Sequence, residues 1–169
     1  GRRPPAPAPR PSPAAPRAPP TAPPGAWGRP GAGEPARVAA GIQAWHDFFI
    51  AEDTPEGEAY RHHAWGPGLE LFYLDTRRHR ASNAVADNED KSMLGKTQLA
   101  WLLDALSEST ADFKLILSSV PLDHGTTGND HWAGFTTERE RILRHVVTQN
   151  IGGVVFLTAD QHWLAVHHF

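Results

Sequence analysis

Near its carboxyl end the chain reads Val154-Val155-Phe156-Leu157-Thr158-Ala159-Asp160-Gln161-His162. The apolar run has the character of a buried strand of an α/β sheet. In an extended backbone, residues two apart point to the same side. Asp160 and His162 would then project together beyond a strand end, the place where open α/β sheets take their ligands. A hard carboxylate beside an imidazole can hold a divalent or trivalent metal ion. The bland alternative is a chance pairing, which ten histidines in one chain make easy.

The elements that must position this pair follow from the punctuation. Leu69 to Asp75 is mostly apolar and closes in a carboxylate, the pattern of a strand. Leu99, Leu102, Leu103 and Leu106 recur at helical spacing and predict a helix from Lys96 to about Glu108. Lys114 to Val120 predicts a second strand, stopped by Pro121. A second helix is expected from about Thr137 to Gln149, with Ile142, Leu143, Val146 and Val147 inward. Thr137 and Glu140 have the spacing of a capping box. Gly152-Gly153 then breaks the chain before the third strand.

The order is β-α-β-α-β, which favours an α/β fold with a parallel sheet and crossover helices. Each strand runs out into polar residues: Asp75 with Arg77, Ser118 with Ser119, Asp160 with His162. Three such ends on one edge are the makings of a site.

Composition divides the chain in two. Residues 1 to about 40 hold thirteen of the sixteen prolines, with Trp27 their one aromatic. Such a stretch cannot offset its ordering entropy by apolar burial and is expected to be disordered. Residues 1–44 are therefore set apart as a Pro/Ala/Arg-rich arm, and 45–169 as the body. Six arginines against Glu34 make the arm basic; ten basic against eighteen acidic residues make the body acidic. The formal charge of −3 conceals this contrast. The arm is read as a linker rather than as a nucleic-acid contact, so no specific nucleic-acid binding is expected. Cysteine is absent, which excludes disulfides and thiolate ligands. No apolar run approaches membrane-spanning length. Arg2-Arg3 is not followed by an apolar stretch, so no signal peptide is legible and the compartment stays open.

Six segments in order resemble the PhoD-like alkaline phosphatases and phosphodiesterases of the calcineurin-like metallophosphatase group. Tyr60-Arg61 with Trp65-Gly66 resembles the family's YR…WG entry, and Leu74-Asp75-Thr76-Arg77-Arg78-His79-Arg80 its LDxRxxR segment. Met93 to Leu102 resembles MLGxxQxxWL, Phe113 to Pro121 resembles xKxIxSSVP, and Asp130 to Phe135 resembles DxWxGY. Thr158 to His162 resembles [TS][GA]DxH. Together they cover about two-thirds of the chain, from Tyr60 to Phe169.

The resemblance implies the carboxyl half of a metallophosphatase sheet, a phosphoester substrate, and Asp160 and His162 as metal ligands. It implies calcium and iron at the site, holding the attacking and leaving oxygens of an in-line displacement. Arg77 and Arg80 are candidate phosphate contacts, because a guanidinium can bind phosphate oxygens bidentately; pairing of Arg77 with a local carboxylate is the alternative. Ser118 and Ser119 stand where many calcineurin-like enzymes carry a metal-binding His, in keeping with the PhoD branch. His124 and His131 read as solvated loop residues near the rim.

The resemblance also implies ligand segments in an amino-terminal half. Residues 1–44 contain no Asp, His or Cys and only Glu34. The chain is therefore expected to be an incomplete and weakly active or inactive phosphatase. It is also expected to leave a sheet edge and an apolar helix face uncovered, favouring self-association. A rival reading is a non-catalytic interaction module, with a degenerate phosphatase scaffold and a basic arm carrying Pro-x-x-Pro spacings at Pro13/Pro16 and Pro20/Pro23. Relatives are often exported or periplasmic, again by resemblance alone.

Overall fold

A computed structural model describes residues 35–48, 58–122, 130–160 and 166. The Pro-rich stretch before Pro35, His124 and the terminal His162, His167 and His168 lie outside them. The described elements are α1 (Pro35–Phe48), β1 (Arg61–Ala64), β2 (Leu69–Tyr73), α2 (Gly95–Glu108), β3 (Phe113–Ser118), a 3-10 turn (Trp132–Gly134), α3 (Thr136–Thr148) and β4 (Val154–Thr158).

They form an α/β fold on one four-stranded mixed sheet in the order β1-β2-β3-β4. β2, β3 and β4 are parallel, as the β-α-β-α-β reading requires, and β1 joins antiparallel to β2. β1 and α1 were not legible in the sequence. Arg61-His62-His63-Ala64 has no apolar alternation, and becomes a strand because the turn at Gly66 (φ 72°) folds it back onto β2. α1 runs across residue 44, where the arm was expected to give way to the body.

Register separates the two faces of the sheet. Phe72, Ile116 and Phe156 are partners across β2, β3 and β4. They join Leu99, Leu102 and Leu106 of α2 and Ile142 and Val146 of α3 in one core, with Met93, Leu94, Trp132 and Phe135. Trp101 packs from α2 against Tyr60 and Phe72 at centroid distances of 4.8 and 6.5 Å. The neighbouring rows, Leu71-Leu115-Val155 and Tyr73-Leu117-Leu157, lie on the opposite face. That face is half-buried over β2 and β3 and open over β4, where Val155 and Leu157 are 43% and 51% exposed. At its β1 corner Arg61 stacks between Tyr73 and Trp45 of α1. Among the described residues, exposed apolar side chains include Phe113, Val155 and Leu157 on this face and Val147 on α3, which the helical spacing had turned inward.

The helix ends are held by tertiary contacts as well as local ones. The expected capping box at Thr137 and Glu140 does not form: α3 starts at Thr136, and Glu140 points out to Arg139. Asp87 caps α3 instead, accepting from the backbone N–H of Thr136 at 2.7 Å and of Thr137, and from the Thr136 hydroxyl. Glu138, buried on α3, accepts from the backbone N–H of Met93 and Leu94 at the entry to α2. At the other end of α3, Asn150 takes a positive φ of 53°, and the N–H groups of Asn150 and Ile151 return to the carbonyls of Val147 and Val146. Gly153 follows with φ 71°, pressed so close to the Asp112 carbonyl that a Cβ would lie 1.8 Å from its oxygen.

Candidate functional site at the strand ends

The carboxyl ends of β2, β3 and β4 lie side by side, and the residues following them are stitched together. Leu74 N–H donates to the Leu117 carbonyl, and Ala159 N–H to that of Ser118. Thr76, buried after β2, meets Ser119 after β3 with their hydroxyl oxygens 2.5 Å apart. Ser118 is consumed by structure: its hydroxyl donates to the Val120 carbonyl and accepts from the Trp132 indole N–H at 3.1 Å.

Asp75 is fixed twice. Its backbone N–H donates to Gln98 Oε1 at 2.8 Å, and its carbonyl accepts from Gln98 Nε2 at 2.9 Å. Gln98 is buried on α2, so this two-point clamp transmits the position of the helix to the end of β2. The Asp75 carboxylate oxygen Oδ1 then accepts from the N–H groups of Arg77 and Arg78, turning the chain sharply after the strand.

That turn launches Arg77 and Arg80 toward Asp130. Oδ1 of Asp130 accepts from Arg77 Nη1 at 3.2 Å, Arg80 Nη2 at 2.5 Å and Asn83 Nδ2 at 3.2 Å. The Arg80 side chain is 0% exposed and that of Arg77 53%. Burial opposes ionisation of Asp130, but the hydrogen bonds from Asn83 and Arg80 and the charges of Arg80 and Arg77 outweigh it. They hold its carboxyl below the ordinary carboxylate value. Beneath the cluster lies the Phe135 ring, with the Arg80 guanidinium 6.0 Å and the buried Lys91 ammonium 4.5 Å from its centroid.

Asp160 follows β4 as an exposed carboxylate with φ 79°, a backbone conformation that non-glycine residues adopt rarely. Its partner in the Asp-x-His reading, His162, is outside the described residues. His131 departs from the reading of a solvated loop residue: it is 6% exposed, and its Nδ1 accepts from Ala133 N–H at the start of the 3-10 turn. Sequence reasoning missed Asp130 as the partner of the arginines and Asn83 as a third donor to it. Asp130 was visible only as the first letter of DxWxGY, and its distance of fifty residues from Arg80 hid the contact.

Among the described residues no three of the His, Asp and Glu side chains gather as a metal-binding group. Asp75 has one carboxylate oxygen committed to its own turn, and Asp160 stands exposed at the rim. The donor set of the described residues does not by itself fit a binuclear centre.

Helices packed on one face of a mixed sheet, with polar residues gathered beyond the ends of its parallel strands, define an α/β domain of the architecture in which ligands commonly bind at that edge. The chain belongs to the PhoD-like phosphatase family, whose model matches residues 27–169. It is 29% identical over 149 residues to alkaline phosphatase D of Bacillus subtilis (strain 168), an alignment covering 75% of this chain and 26% of that protein. The solved structure of PhoD superposes with a TM-score of 0.64 at 29% identity, over 75% of this chain and 28% of that one. The chain thus spans about a quarter of the length of these relatives.

Proposed function

We propose that this chain contributes the phosphate-facing rim of a metal-dependent phosphoester hydrolase. The observation that carries the reading is the delivery of Arg77 and Arg80 to one point beside the strand ends, within a chain of PhoD-like family. Arg77 keeps half of its side chain in solvent and serves as the phosphate contact. Arg80 is buried behind it and fixes the point at which the oxyanion is met. Asp160 and His162 are assigned as metal ligands, and calcium and iron as the metals, on the resemblance of their segment to the family's last motif.

The chain alone is expected to turn over phosphoesters very weakly or not at all, because residues 1–44 lack the ligand segments that the family resemblance implies. Turnover of an aryl phosphate and of an aryl phosphodiester, with calcium and iron added, tests this. Slow metal-dependent release of the phenol, abolished in Asp160→Ala, supports the reading. Release independent of metal and of Asp160 sinks it. We also infer that the open sheet face drives self-association of the isolated chain.

A further inference from the structure

We propose that the position of Asp130 Oδ1 is a phosphoryl-oxygen subsite, and that the Asp130 carboxylate is an exchangeable internal anion competing with a phosphate group for it. The proposal rests on the reading of this rim as a phosphate-facing site. Three N–H donors, from Arg77, Arg80 and Asn83, converge on that single oxygen. Such convergence suits one oxygen of a tetrahedral phosphate as well as it suits a carboxylate oxygen.

The main donor is buried while the acceptor is not. Arg80 is wholly buried and also donates from Nη1 to the Asp130 backbone carbonyl at 3.3 Å. The Asp130 side chain is 59% exposed, and among the described residues its Oδ2 accepts no hydrogen bond. It therefore covers Arg80 from the solvent side, and its departure opens the guanidinium to a ligand. Among the described residues, Arg80 Nε is buried with no hydrogen-bond partner. A carboxylate engaging through one oxygen leaves that N–H unused; a phosphate, with oxygens in three further directions, can reach it. Arg77 and Arg80 place two positive charges on one carboxylate, so exchange for a dianion moves the pair to neutrality.

Competition by an internal anion lowers apparent affinity by the fraction of time the site is open. Asp130→Asn keeps an acceptor for Arg80 and removes the charge. If the carboxylate holds the site about nine-tenths of the time, this variant binds inorganic phosphate about tenfold more tightly than the parent chain. Isothermal titration with inorganic phosphate reads the affinity, and thermal unfolding verifies that the variant is folded. Arg77→Gln in the Asp130→Asn background is expected to abolish the gain. A folded Asp130→Asn chain that binds phosphate no more tightly than the parent overturns the proposal.

Should Asp130→Asn fail to fold, the parent chain decides. Saturating phosphate must shift the NMR signals of the Arg80 Nε–H and Asn83 side-chain amide, and their invariance overturns the proposal. Phosphate binding that tightens in Asp130→Asn, in a chain whose phosphoester release is independent of metal and of Asp160, leaves the internal anion standing and removes the hydrolase reading.

Discussion

Arg80 and Asp130 form an unequal pair: a fully buried guanidinium is held at 2.5 Å by a carboxylate that is mostly in solvent. The two ends of the contact therefore differ in what their loss does. Asp130→Ala takes from Arg80 its charged partner and leaves it the backbone carbonyl of residue 130, at a cost of about 2–3 kcal/mol. Arg80→Met leaves an exposed carboxylate that water accommodates and is expected to cost less. Urea unfolding of both variants checks the order; equal losses would show that burial of Arg80 contributes little.

The clamp between Gln98 and Asp75 gives a second test. Gln98→Ala leaves the Asp75 N–H and carbonyl without their partners, each loss worth about 1–3 kcal/mol where water cannot enter. The expected outcome is a stability loss by urea unfolding together with altered backbone NMR shifts at Thr76 and Arg77. A loss of stability without movement of those shifts would mean that the clamp does not position the rim.

Opposed carboxyl groups set the pH dependence of folding. Burial works against ionisation of Asp87, but hydrogen bonds from Thr136 and Thr137 prevail and lower its pKa. Asp87 and Asp130 thus add stability that is present above the ordinary value of 3.8 and lost as pH falls through their depressed values. Glu138 is raised above its ordinary 4.5 by burial, against hydrogen bonds from Ser92, Leu94 and Met93. Its contribution is fully present below 4.5 and declines as pH rises through the raised value. Glu138→Gln is expected to remove the decline while keeping an acceptor for Met93 and Leu94. Melting curves across pH 3 to 8 check this; a Glu138→Gln profile parallel to the parent's would contradict it.

The open sheet face predicts association. Leu157→Lys and Val155→Thr place polar groups on the exposed row of β4 without touching the core side. Sedimentation velocity is expected to show concentration-dependent association of the parent chain that both variants weaken. A parent chain monomeric across the concentration range removes the inference.

What the sequence disclosed was the periodic part. Leu99, Leu102 and Leu106 announced α2, and the apolar runs at 69–73 and 154–158 announced parallel strands, because burial imposes a period on residue type. β1 carried no such period, since an edge strand of Arg and His owes its form to pairing with β2. The cap of α3 by Asp87 and the gathering of Arg77, Arg80 and Asn83 on Asp130 were hidden for another reason. They join residues about fifty positions apart, and no local pattern encodes the loop paths that bring them together.

The assignment of Asp160 and His162 as metal ligands is the claim on which the hydrolase reading turns. Calcium and ferrous iron titrations of the parent chain, Asp160→Ala and His162→Ala, followed by calorimetry, test it most directly. The account predicts metal binding by the parent chain that each substitution abolishes or weakens about tenfold or more, a loss on the order of 1.4 kcal/mol. Equal binding by all three chains would contradict it.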